Sequence, residues 1–433
     1  MKNGTRLEEN LNSALDEARV VVILTTTNNV SLSNVVVNVY NDDTNALIET
    51  FTYTGPYAIN MPIATHFRVE CAGVQNYKTP EAMDFIASGA NPMIVTITYE
   101  YGKRYGFRRE KAESNSSDRI TYLYDAEGMI PAATNLSTNA FSAGSWGDFI
   151  EEVARPVMLK YDGTVDYELD HNNQTLKLDG TNSDVANTSY NGNAMVEFRE
   201  WKWIKRYQDA NYEYVIFSNV QYDDTYHAYA HTNANGVVQD AFYWGMFKGT
   251  NVSSKLRSIG TGSPMVSQTR TTEITYAAAN GDGYYTIYKS GWEYIADLLT
   301  LISKSDNSQA MFGRGRADTS SASAVGTLKN KPAFWGSSNG TSDVKVFWIE
   351  GFWGNVWEGM AGLINNKGNI MVKMTPPYNT TGDGYVSTGV TPSGTSGGYI
   401  NTHQMIDETG WIPKTASGSE TTYLCDGLWF NNS

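Results

Sequence analysis

Two histidines, His227 and His231, stand four positions apart, the spacing at which one face of a helix presents two ligands to a metal ion. Their context, Tyr-His-Ala-Tyr-Ala-His, is more typical of a strand or an extended loop, and the sequence indicates no third ligand. We therefore predict that both are ordinary strand-face residues and that the protein uses no metal and no cofactor.

The other polar clusters also favour structural roles over catalysis. The run Gly313–Arg316 lacks the Gly-Lys-Ser/Thr ending of a phosphate loop, so we predict a turn rather than an anion contact. Asp282 and Asp383 are flanked by glycines and are turn formers by type, although calcium in these loops stays an open alternative. The carboxylates of Glu151 and Glu152 are neighbours in the chain and point apart in a helix or strand, which makes a poor acid–base pair. We predict no catalytic residues.

The densest aromatic segment of the chain is Val344–Ile364, where five Phe and Trp residues fall within eleven positions. Such side chains carry much of the energy of a protein core, and the segment's glycines suit sharp turns and close backbone approaches. We therefore predict a core segment in which Trp353 and Trp357 are both buried.

Part of this segment carries a family resemblance. Gly354–Glu358, Gly-Asn-Val-Trp-Glu, resembles the signature of the formylglycine-generating-enzyme-like branch of the C-type-lectin fold. The surrounding frame is similar to the C-terminal modules of phage tail proteins and of retroelement-diversified variable proteins. That frame consists of Met158–Val165, Gly192–Val196, Phe312–Gly315 and Cys425–Trp429. The resemblance runs from Gly106 to the end of the chain.

The resemblance implies a phage virion fibre or spike protein that binds a host-cell surface receptor or glycan through a C-type-lectin-like domain. Oxidase members of this fold work through reactive cysteines, whereas this chain has only Cys71 and Cys425, and Cys71 falls in another predicted domain. We therefore expect a protein that is not an enzyme. The alternatives are a structural head or neck decoration protein and an enzyme of the same fold acting on surface glycans.

The resemblance also implies a location for the binding residues. Related modules continue past the motif at Cys425–Trp429 into a final, often hypervariable segment that carries the ligand-binding face. That segment would begin here at Trp429, Phe430, Asn431 and Asn432, which we predict as binding residues. We expect that the sequence is truncated before the rest of that segment; the alternative is that this member lacks it.

Composition narrows the choice of partners. A net charge of −14 without a basic stripe argues against nucleic acid, and no apolar run is long enough to enter a membrane. The N-terminus lacks the apolar region of a signal peptide, so we expect assembly in the host cytoplasm and exposure on the virion surface. The 28 Tyr and 11 Trp residues suit recognition loops and the stacking of sugar rings.

Periodicity predicts four parts within an α+β fold whose N-terminal part is β-rich. Residues 1–19 are predicted to form a capped helix whose apolar stripe, Leu7 to Ala18, needs a partner: the next domain of the chain, further copies of the chain, or another virion protein. The resemblance implies a homotrimer. Residues 20–101 alternate with period two, which indicates a β-sandwich that resembles Ig-like and carboxypeptidase-regulatory-like spacers. Residues 102–145, rich in charge, Ser and Asn, are predicted to be a linker, with a strand at Ile120–Tyr124 as an open alternative, and 146–433 the C-type-lectin-like domain.

Three elements are predicted inside that last domain. A helix containing Phe149 should stop near Arg155, because the residue before a proline resists helical geometry. Glu197–Tyr207 and Tyr212–Tyr222 alternate like paired strands around a turn. An amphipathic helix is expected over Trp292–Ile302.

Overall fold

The computed structural model describes residues 17–74, 76–89, 92–116, 118–319, 321–366, 368–394, 398–416 and 429–430, with only the backbone at 393–394, 398, 416 and 429–430. The chain divides into two compact units. The described part of the first, the sandwich unit, runs from Glu17 to Arg104 and includes Ser218–Asp224. The second, the C-terminal unit, comprises Tyr105–Phe217 and Thr225–Ser433.

Eight strands are described in the sandwich unit. They are β1 (Glu17–Thr26), β2 (Val35–Asn41), β3 (Ala46–Tyr53), β4 (Tyr57–Pro62), β5 (His66–Cys71), β6 (Tyr77–Lys78), β7 (Met83–Ile86) and β8 (Met93–Tyr101). They form two four-stranded sheets, ordered β4-β1-β8-β6 and β3-β2-β5-β7. β1 pairs parallel with β8, Val20 opposite Met93, and antiparallel with β4.

The predicted alternation is confirmed in this unit. Val35, Val37 and Val39 are buried while Val36 is exposed, because successive side chains of a strand point to opposite faces. Val95 and Ile97 of the other sheet join the same apolar core. The two sheets therefore pack face to face as a β-sandwich.

The predicted N-terminal helix lies almost entirely outside the described residues. Its last three positions, Glu17–Arg19, belong to β1 instead, and Ala18 is buried in the sandwich core. Ala18 matched the helical spacing of the preceding apolar residues, so the sequence assigned it to the helix. Its burial instead follows the alternation of β1, in which every second residue is buried.

The C-terminal unit is also β-rich. Its strands begin with β9 (Arg104–Glu110), β10 (Ile120–Tyr124), β11 (Ala133–Asn135), β12 (Ala140–Ser142), β13 (Ala154–Lys160), β14 (Val165–Glu168), β15 (Gly192–Arg199), β16 (Trp203–Gln208), β17 (Tyr212–Ser218), β18 (Ala241–Gly245), β19 (Thr250–Val252) and β20 (Lys255–Arg257). They continue with β21 (Lys345–Val346), β22 (Ile349–Glu350), β23 (Leu363–Asn366), β24 (Asn369–Val372), β25 (Val386–Ser387), β26 (Ser393–Gly394), β27 (Gly398–Tyr399), β28 (Thr402–Ile406), β29 (Gly410–Ala416) and β30 (Trp429–Phe430).

The helices described in this unit are α1 (Gly147–Val153), α2 (Arg270–Ala278), α3 (Lys289–Ser303) and α4 (Ser308–Phe312), with one 3₁₀ turn at Tyr229–His231. The predicted helix around Phe149 is confirmed as α1, which ends at Val153 before the chain enters β13. No helix among the described residues is long and apolar enough to cross a membrane.

The linker predicted at 102–145 is wrong. Most of this segment belongs to the C-terminal unit, where β9 and β10 join the sheet ordered β10-β9-β17-β16. Phe107 and Tyr122 are buried in the core of this unit. The charged run misled the prediction because Arg109 is buried in ion pairs with Glu213 and Asp306, at 3.0 and 3.1 Å.

The predicted strand pair is confirmed only in its inner part. β16 and β17 are neighbours, and the side chain of Asp209 accepts hydrogen bonds from the backbone of Asn211 and Tyr212 at the turn, both at 2.8 Å. Glu197, however, lies in β15 of another sheet. The predicted strand Glu197–Tyr207 is interrupted at Glu200, whose φ of +62° lies in the left-handed region.

Helix α3 is present where it is predicted, but its polar face is buried as well as its apolar face. Every residue from Lys289 to Ser303 is buried. The helix therefore runs through the core of the unit, and its charged side chains need partners inside the protein. Lys289 pairs with Glu293 at 2.7 Å, and Asp297 pairs with Arg206 at 2.9 Å.

Candidate functional site

A cavity of about 1050 Å³ lies within the C-terminal unit. This volume is at the upper end of the roughly 300–1,000 Å³ typical of small-molecule sites. Its walls come from β18, the first turn of α3, the segment from Ile349 to Met360, and β29. We call it the aromatic cavity after its deeper lining, which includes Trp244, Tyr288, Trp292, Phe352, Trp353 and Trp411.

These rings form a connected floor. The ring of Trp292 lies parallel to that of Phe352, with centroids 6.2 Å apart, and meets the edge of Trp411 at 4.9 Å. Trp244 contacts Phe352 at 6.1 Å and Tyr288 at 5.7 Å. Because each ring packs against another ring, the floor is a rigid apolar surface.

The first turn of α3 brings two charges to this apolar floor. Lys289 donates to Glu293 at 2.7 Å and to the carbonyl of Thr409 at 2.9 Å, while Glu293 accepts from the backbone of Trp411 at 2.7 Å. Burial lowers the pKa of Lys289, and the neighbouring Glu293 carboxylate opposes that shift. The pair ties α3 to β29 across the cavity.

A second carboxylate of the cavity, Glu350, is held by the backbone. Its oxygens accept from the amides of Gly326, Thr327 and Leu328 at 2.7, 3.1 and 2.7 Å. Burial raises its pKa, and the hydrogen bonds from these amides act in the opposite direction. Glu350 therefore anchors the loop at Gly326 rather than offering an unpaired base.

The two conspicuous tryptophans of the aromatic segment have different surroundings. Trp353 is buried as predicted, with 2 % exposed, and its indole N–H donates to the carbonyl of Gly313 at 3.2 Å. The prediction for Trp357 is wrong, since 63 % of this residue is exposed. Its ring lies 5.6 Å from that of Tyr399, tilted by 45°, and both residues line the cavity.

The binding residues predicted from the resemblance are only partly described. The backbone of β30 pairs with β27, which sets Trp429 opposite Tyr399 of the cavity wall. Asn431 and Asn432 lie outside the described residues, as does Cys425. Cys71 is described as a free cysteine, and burial raises the pKa of its thiol to about 11.

The two candidate histidines have separate surroundings. His231 is buried, with its ring 4.9 Å from Phe242 and 5.4 Å from Tyr294, and burial lowers its pKa to about 3. His227 stacks on Tyr229 at 4.7 Å and lies 3.4 Å from Glu408. Within the part of the chain that the structure describes, no three His, Cys, Asp or Glu residues are grouped to hold a metal ion.

The run Gly313–Arg316 has a structural role, and its last residue, Arg316, also lines the cavity. Gly315 has a φ of +68°, and a Cβ there would meet Trp353 at 2.8 Å, so glycine allows the close approach. Arg314 pairs with Asp318 at 2.5 Å. Arg316 lines the cavity and donates to the carbonyls of Thr341 and Ser321 at 2.5 and 3.2 Å.

The cavity residues that precede Trp353 in the sequence were not predicted to belong to a binding site. Tyr285, Tyr288 and Lys289 lie just before or at the start of α3, and Lys248 follows β18. The one local signal was a lysine and a glutamate four positions apart at the start of an apolar helix. That spacing places both charges on one helical face.

Comparisons with known proteins do not assign the chain to a family. No family model matches it, and no curated protein matches it. Solved structures that align with parts of it include the TIE protein of Bacillus anthracis, at 11 % identity and a TM-score of 0.19, covering 42 % of this chain and 28 % of that one.

Two pilins align in the same way. A streptococcal ancillary pilin gives 11 % identity and a TM-score of 0.21, covering 48 % of this chain and 60 % of the pilin. BcpA, the major pilin subunit of Bacillus cereus, gives 8 % identity and a TM-score of 0.19, covering 47 % and 58 %. The matches span less than two thirds of each of these chains, and TM-scores near 0.2 do not define a common fold.

Proposed function

We propose that this chain is a phage receptor-binding protein, a virion fibre or spike component. In this proposal the sandwich unit is an Ig-like spacer, and the C-terminal unit is a C-type-lectin-like domain that binds a receptor or glycan on the host-cell surface. The mechanism is non-covalent adhesion, in which modest single contacts are multiplied by several copies on one particle.

The observation that carries this proposal is the aromatic cavity. It combines a rigid apolar floor with polar side chains at its walls, which is the composition of a ligand-binding site. The carboxylates Glu293 and Glu350 within it already accept hydrogen bonds from an ammonium or from backbone amides. Carboxylates that already accept hydrogen bonds from the protein are better suited to positioning a ligand than to acting as catalytic bases.

The sandwich unit supports the spacer role. Two four-stranded sheets that share one apolar core make a stiff module. This arrangement and the alternating sequence pattern support the Ig-like interpretation.

Whole-cell binding tests the proposal. The full chain, fluorescently labelled and presented in several copies on streptavidin beads, is incubated with a panel of bacterial strains and followed by flow cytometry. We expect saturable binding to a restricted set of strains that unlabelled chain competes away. Identically labelled ovalbumin provides the control for non-specific adhesion.

Binding that is absent from all strains, or equal on all strains and not competed, would contradict receptor recognition. The virion location has its own test, which is mass spectrometry of purified phage particles from a culture that carries the gene. Peptides of this chain are expected in the particle fraction, and their confinement to the soluble fraction would contradict a virion role.

A further inference from the structure

The segment Gly354–Gly359 is fixed at the residues that flank Trp357. Asn355 has a φ of +68°, and its side-chain amide forms two hydrogen bonds with the backbone of Ser323. The N–H of Ser323 donates to Oδ1 of Asn355 at 2.7 Å, and Nδ2 of Asn355 donates to the carbonyl of Ser323 at 3.4 Å. Glu358 forms an ion pair with Lys248, whose side chain is buried. The backbone on either side of Trp357 is therefore anchored to the body of the unit.

Because the backbone around it is anchored, Trp357 is held in an exposed position. A Trp side chain that turns inward buries a large apolar area, and here 63 % of the residue stays in contact with solvent. The neighbouring residues hold it at the opening of the aromatic cavity, where Tyr399 lies 5.6 Å away and Tyr285, which is 38 % exposed, also lines the wall. These rings offer flat apolar faces at the entrance of a cavity whose floor is also aromatic.

The charges around the cavity restrict its ligand. Among the described residues that line it, Lys248, Arg270, Lys289 and Arg316 are balanced by Glu293, Asp318, Glu350 and Glu358. Each has a protein partner. Lys248 pairs with Glu358, Lys289 with Glu293, and Arg270 with Glu273 at 3.0 Å, while Asp318 pairs with Arg314. Arg316 donates instead to the carbonyls of Thr341 and Ser321. A charged ligand at Lys248 or Lys289 would have to break an ion pair, and leaving one member of a buried pair alone is costly.

The same paired groups keep donors and acceptors near the wall. Arg270 also donates to the hydroxyl of Thr286 at 2.6 Å, and charged groups form stronger hydrogen bonds than neutral ones do. The cavity wall therefore combines aromatic ring faces with hydrogen-bond donors and acceptors in balanced numbers. This combination matches a ligand that has apolar ring faces and many hydroxyl groups.

We propose that the aromatic cavity is a binding site for an uncharged oligosaccharide, with Trp357 as the exposed platform on which a sugar ring stacks. The volume of about 1050 Å³ suits a chain of several sugar units rather than one. This inference rests on the proposed receptor-binding function and names the ligand class of that site. It moves the recognition surface from the predicted Trp429–Asn432 segment to the walls around Trp357.

The test measures binding of the full chain to defined oligosaccharides by isothermal titration calorimetry. The uncharged probes are maltopentaose, cellopentaose, mannopentaose and chitopentaose, and the anionic probes are oligomers of sialic acid and of chondroitin sulfate. We expect binding to at least one uncharged probe and to neither anionic probe. Trp357→Ala should weaken that binding by about tenfold or more, as the loss of a central Trp contact does.

Tyr124→Ala is the matched control, because Tyr124 is 41 % exposed and is not part of the cavity wall. It should leave the affinity unchanged. Circular dichroism and the thermal midpoint establish that both variants are folded. Absence of binding to every uncharged probe, binding to anionic probes alone, or equal binding by Trp357→Ala would overturn the site.

Treated cells separate this inference from the proposed function. Periodate cleaves the vicinal diols of surface glycans, whereas protease removes surface proteins, and the chain is tested on strains treated with each. Binding lost only after protease would overturn the sugar site and leave receptor binding intact. Tight oligosaccharide binding that Trp357→Ala removes, with no capture of any strain, would leave the sugar site intact and contradict the receptor role.

Discussion

At the scale of single residues, two tryptophans four positions apart, Trp353 and Trp357, differ in their exposure to solvent. Trp353 is enclosed, with its indole bonded to Gly313 and a glycine at position 315 making room for the ring. Trp357, four positions later, is mostly exposed at the opening of the aromatic cavity. Residue type does not distinguish them, so their contributions to stability and to binding should separate on mutation.

We therefore predict that Trp353→Ala lowers the free energy of unfolding by about 3–5 kcal/mol, because it removes a large buried ring and leaves a cavity. Trp357→Ala should lower it by less than about 1 kcal/mol, as surface substitutions do. Urea unfolding followed by far-ultraviolet circular dichroism measures both, since that signal does not depend on the removed indole. Equal losses in the two variants would contradict the assigned environments.

At the scale of elements, α3 is the one on which the C-terminal unit depends. It is buried along its whole length, and its charged residues are paired: Lys289 with Glu293 of the same helix, and Asp297 with Arg206 of β16. Asp297 pairs with Arg206 at 2.9 Å. Burial raises the pKa of Asp297, whereas the Arg206 guanidinium lowers it, so the carboxylate depends on its partner for its charge.

A buried pair of this kind predicts a specific mutational pattern. Asp297→Ala should cost about 3–5 kcal/mol of unfolding free energy, because it leaves the Arg206 charge buried without this partner. The double variant Arg206→Met with Asp297→Leu should lose less than that single variant, since neither change leaves a buried charge at this position. Chemical denaturation of the single and double variants gives both values.

A loss in the double variant as large as that of Asp297→Ala would argue against this account. It would mean that packing around α3, rather than the uncompensated charge, controls the cost of removing Asp297. Arg206 also lies in the field of Glu293, so some residual loss is expected even where the pair accounts for most of the effect.

At the scale of the whole molecule, the structure changes how the N-terminal stripe should be tested. Glu17–Arg19 form the start of β1, so a deletion that reaches Arg19 would damage the sandwich core at Ala18. The residues of the predicted helix that precede them, Leu7 to Leu15, can be removed without touching a described strand.

We predict that the full chain is a homotrimer and that a chain lacking residues 1–16 is a monomer. An apolar stripe on so short a helix is stabilised by association with copies of itself, and repeated copies give adhesion its avidity. Light scattering at matched concentrations measures both states. A monomeric full chain would contradict self-association, and a trimer that survives the deletion would assign the interface to another part of the chain.

The sequence alone determined the features that depend on local spacing. Alternation identified the strands of the sandwich unit around Val37 and Ile97, proline placement located the end of α1, and helical spacing located α3. These succeed because a strand or helix imposes its own period on buried positions, whatever it packs against. Family-like motifs likewise drew attention to Gly354–Glu358, which proves to be part of the cavity wall.

Only the tertiary structure decided which charges are buried and which aromatic ring is exposed. Arg109 meets Glu213 from 104 positions away, and Lys248 meets Glu358 from 110 positions away. Such partners carry no local signal, so the run around Arg109 resembled a linker and Trp357 resembled a core residue. The pair of Lys248 and Glu358 also balances charge in the wall of the aromatic cavity, because a buried ion is stable only where the fold brings its counterion.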